Sequence, residues 1–194
     1  IVLLFMVMFV TRINQQAAPV LMPIISGELY LSSTQIGLYS TFWAITSTGG
    51  AIFLGRMSDA LGVKKVLSLS LVILFSGMLL HSFGSTYEII LLGSFIAGLG
   101  YSAVSPSITK YIRCEAPLNH RAKIQGIAMS GLDFGALTAA MLLPTLAVTF
   151  TWRSSFQIFA LVPLLIILPV LIYLNEKRNE ADRENPKPLW SELK

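Results

Sequence analysis

Four uninterrupted runs without a charged side chain dominate the 194-residue chain: Leu29 to Gly55, Val66 to Tyr87, Ile89 to Thr109 and Ser154 to Asn175. They are 27, 22, 21 and 22 residues long, and a helix needs about 20 apolar residues to cross a bilayer. Two more stretches, Ile1 to Gly27 and Ile124 to Trp152, are long enough and are each interrupted by one charge, Arg12 and Asp133. Only 12% of the residues are charged, about half the share of a soluble domain, so a water-soluble globule lacks its polar coat. The runs are too continuous for the ten-residue, period-2 pattern of a spanning barrel. The predicted fold class is therefore an all-α membrane protein with six transmembrane helices, spanning about 1–27, 33–55, 66–85, 88–110, 123–148 and 155–174.

Charge placement predicts the orientation. The segments Gly55 to Lys65 and Lys110 to Lys123 and the tail after Leu174 hold twelve of the fourteen Lys and Arg residues, whereas the alternate loops hold only Arg153. By the positive-inside rule the loops after the second, fourth and sixth helices are cytoplasmic, and so are both chain ends. The net charge of +4 then sets topology and is no sign of a nucleic-acid partner. Trp152 and Tyr87 fall at outer helix ends, where aromatic belts are expected. Residues 175–194, with five basic and five acidic side chains and two prolines, read as a cytoplasmic linker or tail. The chain opens inside a hydrophobic stretch without an initiator Met, and is expected to be a fragment.

Several chemistries lose their residues at this stage. The single cysteine, Cys114, and two distant histidines give no metal site, and no cofactor is expected. No ATP-binding loop, His-Glu-x-x-His pair or Gly-x-Ser-x-Gly elbow occurs, so an enzyme is not expected and any transport must draw on a gradient or a separate subunit. His81 and His120 are expected as solvated imidazoles at the interface or in a loop.

The most specific pattern is Gly55-Arg-Met-Ser-Asp59-Ala-Leu-Gly62-Val-Lys64-Lys65, between the second and third spans. Its glycines suit a tight reversal, Asp59 suits a hydrogen-bonded latch, and the lysines suit an anionic leaflet. It resembles the G-x-x-x-D-x-x-G-x-[RK]-[RK] signature of the major facilitator superfamily, at the position where a six-helix half carries it. Gly98-Leu-Gly100, Arg121 with Gly126, Ser130-Gly131-Leu-Asp133-Phe-Gly135 and Trp152-Arg153 with Phe156 look like that family's organic-anion symporter branch. Two positions depart from the pattern: Ser94 stands where many relatives have an arginine, and Thr11 where the branch often has an acid.

The resemblance implies a twelve-helix transporter, of which this chain is the N-terminal half and from which a C-terminal six-helix half is missing. It implies a small, anionic organic solute moved across the cytoplasmic membrane by alternating access with a proton or cation, and Arg12 as anion ligand. Independently, Arg12 and Asp133 both lie roughly 15 Å from the cytoplasmic face at 1.5 Å per residue, too deep to face lipid without cost. They are expected either to pair statically or to line a cavity where substrate competes with Asp133 for Arg12, leaving Asp133 as the ion-coupling group. Gln15 and Gln16, with Asn14, follow Arg12, and Tyr39 and Trp43 share one face of the second span; these are the further candidate substrate-binding residues. Gly55, Asp59, Gly62, Lys64 and Lys65 form the candidate gating motif, with Arg113 as the expected partner of Asp59. Competing readings are a six-helix permease acting as a dimer or with a separate ATPase, and a non-transporting sensor that keeps the transporter fold.

Overall fold

The computed structural model describes residues 1–174, and the expected linker at 175–194 lies outside them. The described residues form seven α-helices and one 3-10 turn: α1 (Val2–Leu29), α2 (Ser33–Leu61), α3 (Val63–Ser82), α4 (Tyr87–Ser102), α5 (Val104–Glu115), the turn Leu118–His120, α6 (Arg121–Thr149) and α7 (Trp152–Tyr173). Four helical stretches are long and apolar enough to cross a membrane by length and composition: Val63–Ser82, Tyr87–Glu115, Leu118–Thr149 and Trp152–Tyr173. α1 and α2 have 28 and 29 residues and carry more polar side chains.

Local chemistry explains several helix ends. α2 starts on a capping box in which the Ser32 hydroxyl accepts from the Gln35 N–H and the Gln35 amide oxygen accepts from the Ser32 N–H. α7 starts on Thr151, whose hydroxyl accepts from the Ser154 N–H. The break between α4 and α5 falls at Ala103, three residues before Pro106. Proline has no N–H for the carbonyl four residues earlier, Ser102. The reversal after the second helix differs from expectation: α2 continues to Leu61, so Gly55 lies inside the helix with open space around it, and Gly62 alone makes the turn, at φ 91°.

Buried side chains form two main clusters along the bundle. One gathers Leu21, Ile25, Ile90, Leu143, Trp152 and Phe156, and the other gathers Leu4, Val7, Leu67, Leu71, Ile108 and Val170. α1 packs chiefly on α6, α3 lies between α4 and α7, and α2 packs on α4. Glycines set these contacts. A Cβ on Gly131 would stand 2.5 Å from the Phe5 carbonyl oxygen, and one on Gly135 would strike the Phe9 carbonyl and the Arg12 Cβ. Gly77 meets the Ala97 backbone, Gly100 meets Leu74, and Gly98 meets Thr46 and the Trp43 carbonyl. In lipid, where apolar side chains gain little by leaving the tails for one another, such close approach is a main source of helix association.

One end of the bundle is tied by a polar cluster. Glu28, in the last turn of α1, accepts from Trp152 Nε1 at 2.5 Å and from Arg153 Nη1 at 2.6 Å. Arg153 also donates to the Gly84 carbonyl at 3.1 Å and lies 4.2 Å over the Trp152 ring. Trp152 is buried, so the expectation of an aromatic-belt residue is corrected: its indole N–H is spent on Glu28. The Arg153 and then the Trp152 hydrogen bonds hold the Glu28 carboxyl below its ordinary value of 4.5. A depressed carboxylate adds stability above the ordinary value and loses it as pH falls through the depressed one. Thermal unfolding in detergent should therefore show the wild type more stable than Glu28→Gln at neutral pH, with the gap closing as the pH drops below 4.5; a pH-independent gap would remove the ion pair as its source.

Candidate functional site

α1 and α2 enclose a cleft of about 130 Å³ lined by Gln15, Gln16, Pro19, Tyr39, Ser40 and Trp43. Four of the five residues expected from sequence to bind substrate thus share one wall-to-wall site. Their spacing accounts for it, because Gln15, Gln16 and Pro19 lie within four residues on α1 and Tyr39 and Trp43 are one turn apart on α2. Arg12 does not line the cleft itself and reaches it through Gln15: Arg12 Nη1 donates to Gln15 Oε1 at 2.6 Å. The stem of Arg12 rests where Gly135 leaves room, and its buried Nε has no hydrogen-bond partner among the described residues. The guanidinium is therefore held by one neutral amide and has donors left over.

Two aromatic contacts fix the α2 wall. The Trp43 ring lies 5.0 Å from Tyr101 of α4, and the Tyr39 hydroxyl meets His81 Nε2 at 3.1 Å. Ser94, fully buried, donates to the Tyr39 carbonyl at 3.1 Å. A serine here gives α4 close contact with α2 that an arginine's volume would prevent. The expectation of a solvated His81 is corrected, since the ring is 2% exposed and hydrogen-bonded at both nitrogens. Its place at the end of a long apolar run gave no sign of this, because hydropathy reports depth and not which way a helix face points.

Asp133 is exposed and does not meet Arg12. Gly131 and Gly135 face α1, and Asp133 lies two residues from each, on the opposite side of α6 at 100° per residue. Among the described residues the static Arg12 to Asp133 bridge is not formed.

At the end of the bundle opposite Glu28, Asp59 Oδ1 pairs with Lys110 Nζ at 2.6 Å. The expected partner, Arg113, is corrected: it lies three residues beyond Lys110 and is exposed, whereas Lys110 faces the end of α2. Lys110 also donates to the Ser58 carbonyl at 3.2 Å, so one ammonium serves both an acid and a terminal carbonyl where the helix dipole is negative. Lys64 and Lys65 sit in the first turn of α3, where the dipole disfavours cations; helix stability does not account for them. Among the described residues no group of acids, histidines and cysteines has the arrangement of a metal site.

The family model described as Major Facilitator Superfamily matches residues 4–194. The chain is 30% identical over 192 residues to the hexuronate transporter of Bacillus subtilis (strain 168), covering 96% of this chain and 44% of that protein. It is 30% identical to the sialic acid transporter NanX of Escherichia coli (strain K12), covering 75% of this chain and 36% of that protein. It is also 30% identical to the gentisate transporter of Corynebacterium glutamicum (strain ATCC 13032), over 81% and 36% of the two chains. All three are named for organic acids, and the chain spans less than half the length of each. Among solved structures, a bacterial homolog to the human lysosomal transporter Spinster, in an inward-facing and unoccupied conformation, superposes with a TM-score of 0.74 at 19% identity, over 90% of this chain and 42% of that one. The same protein in its occupied conformation gives 0.72. The all-helical architecture is a fold that known transporters share, and the chain belongs to the major facilitator superfamily, a family of transporters, as a multi-pass membrane protein.

Proposed function

We propose that this chain is the N-terminal six-helix half of a secondary active transporter that moves a small organic anion across the plasma membrane by alternating access. α1, α2, α3, the α4 and α5 pair, α6 and α7 are its six spans, residues 1–174 are the bundle, and 175–194 are the link to a second half. Both ends of the chain are cytoplasmic in this reading, which rests on the twelve basic residues of the three segments described above. Relatives more than twice as long as the chain support a second half over a free-standing six-helix permease.

The observation that carries the reading is the Arg12 guanidinium, buried at Nε, held among the described residues by Gln15 alone, and set behind a polar cleft. A cation at the centre of a span costs about 2.5 to 3.5 kcal/mol on insertion scales, and an anion with two oxygens matches its free donors. Gln15 then hands the guanidinium to the solute, while Gln16, Tyr39 and Trp43 shape the site around it. A hexuronate, the solute named for one relative, is the first probe. In the full-length protein, Arg12→Lys should raise the KM for glucuronate uptake about tenfold or more, because a charge-assisted bidentate pair becomes a point-charge contact; an unchanged KM in a normally inserted variant would sink the anion role.

Asp133 takes the coupling role in this proposal without touching Arg12. Its neighbours Phe134 and Leu137 are exposed apolar side chains, so a carboxylate on that face needs water or a partner from the second half. Protonation, or a bound cation, would let the face close. Asp133→Asn should lose accumulation of solute against its gradient and keep exchange across the membrane; accumulation with unchanged pH dependence would refute the role.

The pair of Asp59 and Lys110 acts as the cytoplasmic latch, with Gly62 as its turn, Lys64 and Lys65 at the leaflet, and Gly55 and Arg113 outside the contact itself. The Asp59 side chain is 73% exposed, so the pair contributes about 0 to 1 kcal/mol to folding. Its effect belongs to the balance between conformations. Asp59→Asn and Lys110→Gln should each slow uptake by a similar factor at unchanged membrane level, and the double variant should be no slower than either; independent, multiplying losses would separate the two residues.

A further inference from the structure

Behind the cleft lies a junction of four helices that the transport reading leaves without a role. His81 of α3 is 2% exposed. Its Nδ1 lies 2.7 Å from the Gly77 carbonyl oxygen one turn earlier, and its Nε2 lies 3.1 Å from the Tyr39 hydroxyl of α2. A carbonyl oxygen only accepts, so Nδ1 carries the proton; in the neutral ring Nε2 is then the acceptor, and the Tyr39 hydroxyl is the donor. The imidazole stacks on Phe156 of α7 with centroids 5.0 Å apart and planes at 15°. On α4, a Cβ at Gly93 would stand 2.7 Å from Nδ1, so the ring occupies the space that glycine leaves. The imidazole therefore has one place to sit, and Tyr39 is tied to it by its hydroxyl and to Ser94 by its carbonyl.

We propose that His81 is a positioning residue of the cleft: a neutral imidazole, wedged between Gly93 and Phe156, that accepts the one hydrogen bond the Tyr39 hydroxyl can donate and so fixes Tyr39 in the α2 wall as a ring surface whose hydroxyl offers the solute no donor. The donors left among the residues lining the cleft are then the amides of Gln15 and Gln16 and the indole N–H of Trp43, the Ser40 hydroxyl donating to the Ile36 carbonyl at 3.5 Å. The role rests on the reading of the cleft as the solute site, but the arrangement exists without solute and is tested without it.

Two measurements on the full-length protein in nanodiscs decide it. With 15N-labelled histidine, the ring signals removed by His81→Gln belong to His81. Near neutral pH they should report a neutral ring protonated at Nδ1, and Tyr39→Phe should move the Nε2 resonance while leaving that of His120 in place. A ring protonated at Nε2, or an Nε2 resonance indifferent to Tyr39→Phe, overturns the proposal. The second readout is the rate at which a maleimide labels a Ser40→Cys protein whose other cysteines, Cys114 included, are removed. His81→Ala and Tyr39→Phe should each change that rate about fivefold, the factor carried by one ordinary net hydrogen bond, and the double variant should match the larger single change. His81→Gln, which keeps an acceptor, should restore most of the rate. Multiplying effects, no change in rate, or a His81→Gln protein no better than His81→Ala would overturn it. Glucuronate uptake that ignores Arg12→Lys would sink the anion reading alone, since neither of these readouts uses a solute.

Discussion

A membrane-embedded helix can approach another to within backbone contact only where one of the two lacks a side chain, and that restriction organises this bundle. The carbonyls of Phe5 and Phe9 sit where Cβ atoms of Gly131 and Gly135 would be. α1 is therefore pressed onto α6 along one line, which carries the Arg12 stem over Gly135 and fixes how far round α1 the guanidinium can point. The same arrangement recurs on α4, whose Gly93, Gly98 and Gly100 meet His81, Thr46 and Leu74. α4 becomes the element against which α2 and α3 are both registered. Since apolar association in lipid draws little from solvent exclusion, these close contacts must do what a hydrophobic core does in water, and the cleft between α1 and α2 is what remains open when both helices are held by different neighbours.

Polar contacts then act at the ends, where water is near. Glu28, Trp152, Arg153 and the Gly84 carbonyl join α1, the turn before α4 and the start of α7. Lys110 joins α5 to the end of α2 through Asp59 and the Ser58 carbonyl. The two clusters differ in kind. The first has a buried indole and a carboxylate using both oxygens, so its geometry is specified at several points; the second has an acid that is mostly in solvent and a single short contact. By that measure the Glu28 cluster is the more rigid fastening and the Asp59 pair the easier to open and remake.

The sequence announces depth along each helix far better than direction around it. Uncharged run lengths place α3 and α7 within a few residues, and the five residues singled out on the first two spans lie in or directly behind one cleft because each group is compact along its own helix. Contacts between helices were less legible. Lys110 and Arg113 are both basic and one turn apart, and only the rotation of α5 against α2 selects Lys110. Arg12 and Asp133 lie at matching depth, yet Gly131 and Gly135 turn the α6 face bearing Asp133 away from α1. His81 and Trp152, expected near water, are buried because Phe156, Tyr39 and Glu28 meet them from other helices. Gly93 and Gly98 were the available signal: small residues mark where a neighbour comes close, although they do not say which neighbour.

The polar inventory of the cleft bears on what the site favours. Arg12 has five N–H donors and no acceptor capacity, and its hydrogen-bond partner among the described residues is one oxygen of Gln15. The Tyr39 hydroxyl donates its hydrogen bond to His81, and the Gln15 oxygen accepts from Arg12, which leaves the Gln15 amide N–H groups as its remaining donors. Near the guanidinium the site is thus rich in donors and poor in free acceptors, whereas the Gln16 amide, which also lines the cleft, can both donate and accept. A solute that satisfies this pattern carries its negative oxygens at one end and neutral groups able to donate or accept at the other. A purely apolar molecule would leave the guanidinium donors unpaired in a low-dielectric site, and a cation would meet repulsion with no carboxylate nearby, since Asp133 lies across α6 from Arg12. In the proposed transporter it is this asymmetry within one small cleft, and not the presence of a single arginine, that selects an organic anion with a polar body.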